Sequence, residues 1–421
     1  MSARFVACAR LSGSAAAQPR NPRHLIRAPG VARSPFSHTD AGVPGVRQRG
    51  IICLRASDED SEGASYEFGR PAAPKETYQA FANDSRAALL DEMGKDDADI
   101  DVVWAALHIA SEDDAVQTRS VVKLPVASYS KRLDTMVEEL IRLHLPKLGD
   151  SPSPKAMLDC VDNYIYDLMK YKLAEGWLEL FSPYRLYAHN VLAQKCGTPL
   201  GLAVVHLGIL QRLQCRGQLD GFDFELVLPS TGERPFAQVR GEGVDTEGLA
   251  GSSLTSRVVV LMVLDALKRS FWPWEWAPGA KSGFLPAAEA ALGSSGRIGT
   301  ADSTTGVLQA QGRPFGDLSR TMVALERLVL LKAPPMHLRD SGIVLYHLKR
   351  YEEAYHCLKK YKDILDSSSD LEEHQDVPDV QTKPSLEGIR TELETIATEE
   401  SLVEAVITKL ERIKAESSWA L

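Results

Sequence analysis

From Leu200 to Leu213 the chain reads LGLAVVHLGILQRL, almost without a polar break. A helix that is apolar on every side must lie inside a core, with other elements wrapped around it. Thr198 can cap this helix, and Pro199 occupies the first helical position, where its missing N–H costs nothing. A turn at Arg216-Gly217-Gln218 leads into Phe222 to Leu228, where Phe222, Phe224, Leu226 and Leu228 alternate with Asp223, Glu225 and Val227 as in a strand. A helix N-terminus facing a strand is an arrangement that can bring a cysteine nucleophile to its histidine.

Helical spacing predicts elements before and after this centre. On the N-terminal side they span Tyr78 to Met93, Ile100 to Ala110, Ser130 to Leu145 and Met157 to Lys172. The third carries Leu133, Met136, Val137, Leu140 and Ile141 on one stripe. Glu112-Asp113-Asp114 either closes the second helix or lines a groove. Past the strand, Phe236 to Val239 fits a second strand, and Leu254 to Ser270 reads as a helix running into FWPWEW. Trp272, Trp274 and Trp276 allow two readings, an aromatic plug closing a core or an exposed binding patch.

Beyond residue 313 the spacing Leu338-x3-Gly342-x2-Leu345-x5-Tyr351-x2-Ala354-x3-Leu358-x2-Tyr361 follows the small-and-large layout of a tetratricopeptide hairpin. Leu318 lies 33 residues before Tyr351, close to the repeat length of about 34. Fewer than three units cannot form an independent solenoid, so these helices must pack on the preceding domain.

These residues together carry a resemblance. Tyr187, Asn190-Val191-Leu192, Gly197-x-Pro199, Leu202 and the apolar run to Leu213 resemble the core of the SirB family, a branch of the transglutaminase-like superfamily. Asp101 to Leu107 is similar to that family's first helix, and the family joins its core to C-terminal tetratricopeptide-type helices. The resemblance spans roughly residues 95–365 and implies an α+β, predominantly helical fold. In that fold a buried helix packs on a small antiparallel sheet, with helical hairpins following.

The superfamily's enzymes use a thiolate at the start of the buried helix, a histidine on the next strand and an acid on the strand after it. Carried over, those positions fall on Gly201, Phe224 and Gln238. Glycine holds no nucleophile and an aromatic ring accepts no proton, so the expectation is a scaffold without catalytic residues. The alternative is a cysteine-dependent hydrolase or acyl transferase built on Cys196, which precedes the helix, with His189 as base. His206, between Val205 and Leu207, reads as a hydrogen-bonded core histidine rather than a ligand.

The opening is different in kind. Residues 1–55 hold nine arginines, one acid (Asp40) and no lysine, among many Ala, Ser and Pro. That composition matches an organelle transit peptide over 1–56, with chloroplast stroma expected and mitochondrion the alternative. Without it the Lys+Arg count falls from 48 to 39 and Asp+Glu from 57 to 56, a net charge near −17 that argues against non-specific nucleic-acid binding. No run reaches the roughly 20 apolar residues of a membrane span. The four cysteines after residue 56 are scattered, without zinc spacing, and no phosphate loop, HExxH or Ser elbow occurs, so no cofactor or metal is expected.

The expected domains are a transit peptide (1–56), an acidic linker (57–74), a transglutaminase-like domain (75–276) and a Gly/Ser-rich flexible segment (277–313). Tetratricopeptide-like helices (314–365), a polar linker (366–383) and a final amphipathic helix or helix pair (384–421) complete the chain. The expected role is that of a protein-interaction scaffold acting through the C-terminal helices, with Trp272, Trp274, Trp276, Tyr351 and Tyr355 as candidate contacts.

Overall fold

The computed structural model describes residues 74–149, 152–176, 179, 182–229, 232–240, 252–275, 283–293, 315–372 and 386–418, all within the unit Asp60–Leu421. The expected transit peptide, nearly all of the expected acidic linker, and Trp276 lie outside the described residues.

Helix α1 (Lys75–Met93) packs lengthwise on α2 (Val102–Thr118). The Asp101 carboxylate starts α2 by accepting from the backbone N–H groups of Val103 and Trp104, each at 3.0 Å. Glu112, Asp113 and Asp114 do not close that helix, which continues through them. Helix α3 (Val126–Leu143) buries Leu133, Met136, Val137 and Leu140, the stripe its spacing predicted. Helix α4 (Pro154–Asp162) has Ser153 as its cap, then loosens into a π-type turn at Asn163–Leu168, so the predicted helix to Lys172 breaks early. Strand β1 (Lys172–Leu173) pairs in parallel with β2 (Cys196–Gly197) across the short α5 (Ala188–Gln194), and Lys195 makes the left-handed turn between the last two.

The central helix is α6 (Pro199–Cys215), capped as expected by Thr198 Oγ1, which accepts from Gly201 N at 3.0 Å. Residues 200–210 are all buried. Gly208 lets α2 come close, since a Cβ there would sit 2.2 Å from Val103 Cγ2. Strand β3 (Phe224–Leu228) is the middle of a three-stranded antiparallel sheet, between β4 (Phe236–Val239) and β5 (Ser252–Ser253). Helix α7 (Ser256–Phe271), capped by Thr255, closes the first core around α6.

A second core begins at the tryptophans. Trp272 and Trp274 are buried, with ring centroids 5.4 Å apart, and Trp272 Nε1 donates to Gly283 O at 3.1 Å. They are a plug, which removes both from the candidate surface patch. Part of the expected flexible segment 277–313 is helix α8 (Phe284–Leu292), held because Phe284, Ala287, Ala288 and Ala291 fit the same core. Helix α9 (Leu318–Leu330) packs on α7. The hairpin of α10 (Met336–His347) and α11 (Tyr351–Glu372) follows, and its contact point is Gly342, where a Cβ would meet Leu358 Cγ at 2.5 Å. Helix α11 runs on through the first part of the expected linker 366–383. The final element is one helix, α12 (Leu386–Ser418), which covers α8 and α11 and seats Val403, Val406 and Leu410 in the second core.

Candidate functional site

A cleft of about 290 Å³ opens at the N-terminus of α6, between Leu186, Pro199, Leu200, Leu228, Ala266 and Arg269. Among the described residues no Cys, His, Asp or Glu lines it. Its hydroxyls are Ser182, Thr198 and Ser270. Of these, Thr198 is engaged as the helix cap and Ser270 Oγ donates to Ala266 O at 2.8 Å. A hydroxyl without a neighbouring base is a weak nucleophile.

Gly201 sits in the first turn of α6. A Cβ there would stand 2.7 Å from the carbonyl oxygen of Arg185 and 3.2 Å from Val191 Cγ2. That carbonyl is fixed, because it already accepts from Thr198 N at 2.9 Å. A cysteine at this position would have to displace backbone. Phe224 is half-buried at the start of β3, opposite Val239, and packs against the first core. Gln238 pairs with Glu225 across the strands, its Nε2 donating to Glu225 Oε1 at 2.6 Å, while its own Oε1 is buried without a partner among the described residues. The three positions hold inert groups.

Cys196 and His189 form no dyad. Cys196 is buried in the short parallel ladder beside Lys172. His189 lies between the rings of Tyr129 and Tyr187, with centroids 6.0 and 5.8 Å away, and its Nδ1 has no partner among the described residues. Burial pulls its pKa down to about 4, which makes it a poor base at neutral pH. Among the described residues no hydrogen bond joins it to Cys196. His206 is the core histidine the sequence suggested. It is fully buried, with Nδ1 3.3 Å from the Tyr166 hydroxyl and Nε2 3.1 Å from Asp162 Oδ1, the latter off the line of a hydrogen bond. Tyr166 in turn donates to Pro235 O at 3.0 Å, tying the π-type turn to the approach of β4.

Tyr351 and Tyr355 are half-buried against the second core. The Tyr355 hydroxyl donates to Glu411 of α12 at 3.4 Å, and Lys359 and Lys414 stand 5.8 and 5.7 Å from its ring.

Sequence reasoning missed two buried ionic clusters that join the regions. In the first, Arg327 of α9 is 1% exposed and pairs with Glu112 (2.9 Å) and Asp113 (2.5 Å) of α2. Tyr187 donates to Asp113 at 2.6 Å, and Arg86 of α1 bridges Glu112 and Glu326. Burial would lower the Arg327 pKa, but Asp113 and Glu112 outweigh it and hold the guanidinium above its ordinary value. In the second, Lys268 of α7 meets Asp265 and Asp340, and Arg339 pairs with Asp340 and with Glu399 of α12. The available signal was charge at core spacing: Glu112 two residues after Ala110, Arg327 beside Leu325 and Leu328, and Lys268 next to Leu267.

Among the described residues no group of three or more His, Cys, Asp or Glu could hold a metal ion, and no helix is long and apolar enough to cross a membrane. No curated protein and no solved structure matches the chain. Residues 127–228, from α3 through β3, match the family described as the transglutaminase-like superfamily, so the helix α6 and the strand beside it belong to a transglutaminase-like domain.

Proposed function

We propose that the chain is a non-catalytic, SirB-type member of the transglutaminase-like superfamily that serves as a protein-interaction scaffold in the chloroplast. The observation that carries this reading is the closed nucleophile position. At Gly201 the Arg185 carbonyl occupies the space a cysteine side chain would need, and among the described residues the cleft beside it offers neither thiol nor base. The hairpin of α10 and α11, with Gly342 seated against Leu358, supports a tetratricopeptide-type unit as the interaction element. The arginine-rich, lysine-free opening supports import into a plastid.

The deciding experiment is an activity screen of the purified chain lacking residues 1–56, using ester and amide substrates and a thiol-directed acylating probe. The expected result is no turnover and no labelling above that of Cys196→Ser. Turnover lost in Cys196→Ser would replace the scaffold with a cysteine hydrolase. For the scaffold itself, affinity purification from plastids should recover a stoichiometric partner that charge reversal at exposed Lys360 or Glu400 releases. A fusion of residues 1–56 to a fluorescent protein should enter plastids, and a cytosolic or mitochondrial signal would remove the chloroplast assignment.

A further inference from the structure

His337 opens α10 and is 6% exposed, with its Nδ1 3.3 Å from the Lys268 ammonium of α7. An ammonium can only donate, so Nδ1 is the acceptor and the ring proton sits on Nε2. The same ammonium donates to Asp340 Oδ2 at 3.1 Å and lies 2.8 Å from Asp265 Oδ1. Asp340 has no oxygen to spare, since Oδ1 accepts from Arg339 Nε and Nη2 at 3.1 and 2.9 Å.

We propose that Lys268, His337 and Asp340 form a pH-gated latch between α7 and the C-terminal hairpin. In the closed state a neutral His337 accepts from Lys268. A solvent proton arriving at Nδ1 turns the acceptor into a donor, sets two cations face to face in a buried site, and frees α10 from α7.

The charged groups around the ring are Lys268 and Asp265 from α7 and Asp340 and Arg339 from its own helix; Glu399 of α12 pairs with Arg339. Counted as formal charges, these carboxylates outnumber the cations by one, which by itself would favour a proton on the ring. The geometry decides otherwise, because the nitrogen facing the cluster meets an ammonium and both Asp340 oxygens are occupied. Burial, followed by the Lys268 charge, accordingly holds the imidazole pKa below its ordinary value. With the folded-state value lower than the unfolded one, the latch is at full strength above about pH 6.5 and weakens as pH falls below it.

The test is an NMR titration of the full chain with labelled histidine, together with hydrogen exchange corrected for its intrinsic pH dependence. The His337 Hε1 resonance should show no midpoint at or above pH 6.5. Exchange in residues 256–271 and 336–347 should rise by up to about tenfold per pH unit below that value. His337→Gln offers Lys268 an amide oxygen that does not titrate, and in both helices the acid-induced rise should shrink by the share of this ring, leaving only what the other buried histidines cause. A His337 midpoint at 6.5 or higher, or an unchanged acid response in His337→Gln, would overturn the latch. Should the variant fail to fold, the titration of the native chain decides alone.

Discussion

The shell around α6 and the seam joining it to the C-terminal helices are both largely buried, yet unlike groups hold them. Around α6 the buried residues are mostly Leu, Val, Ile and Ala with a few Tyr and Met, and His206 sits in the middle of the helix against Tyr166. Along the seam, Arg327 reaches Glu112 and Asp113, and Lys268 and Arg339 share Asp340. Apolar burial stabilises without direction and tolerates exchange among groups of similar volume. A buried ion pair adds little net stability, because desolvation offsets its attraction, but it leaves a heavy penalty when one partner is lost. The shell therefore supplies stability, and the seam specifies where the C-terminal helices sit.

The largest effect that should separate the two regions is Arg327→Met. It leaves buried Glu112 with only Arg86 and Asp113 with only the Tyr187 hydroxyl among the described residues, and should cost about 3 kcal/mol in denaturant unfolding. Adding Glu112→Gln and Asp113→Asn should recover much of that loss. A neutral single variant would mean that water already reaches the seam, and the contrast would fail.

Next comes Gly208→Ala in the shell. Its methyl group would lie 2.2 Å from Val103 Cγ2, and a valine has few rotamers with which to yield. A net loss of about 1–3 kcal/mol is expected despite the gain in helix propensity. Gly342→Ala should cost less, because its obstacle is the Leu358 side chain, which can rotate.

A smaller effect follows from acid. Burial lowers the pKa values of His108, His189, His337 and His347, and that of His189 falls to about 4. Each neutral ring stabilises fully above the unfolded value near 6.5, and that contribution is lost as pH falls through the window down to the folded value. Unfolding measured between pH 7 and 4 should show stability declining throughout. In His189→Phe the slope should be about one proton shallower between 6.5 and 4, and an unchanged slope would show that this ring is protonated in the fold. The smallest effect should be Lys362→Ala. Its pair with Glu404 is exposed on both sides, so the thermal midpoint should not move.

Much of this could be read without coordinates because it depends on neighbours along the chain. The Thr198–Pro199 start of α6, its buried run, the stripe of α3, the strand ending at Leu228 and the Gly342–Leu358 layout are all local patterns of period or cap. That Gly201, Phe224 and Gln238 carry neither thiol nor imidazole was also legible, because residue identity alone decides it. Less visible were the π-type turn after Asp162 and the helix Phe284–Leu292 inside a Gly/Ser-rich stretch, which exist because of what they pack against.

Sequence by itself determined that a capped, wholly apolar helix would be buried, for which periodicity and residue chemistry suffice; that Gly201, Phe224 and Gln238 stand at catalytic positions is what the resemblance implies. Only the tertiary structure decided that the Arg185 carbonyl fills the space beside Gly201 and that Trp272 and Trp274 face inward. It alone placed Arg327, 214 and 215 residues away in sequence, against Asp113 and Glu112. The reason is that a charge, a carbonyl or an indole takes its meaning from the groups that displace water around it, and those come from distant parts of the chain.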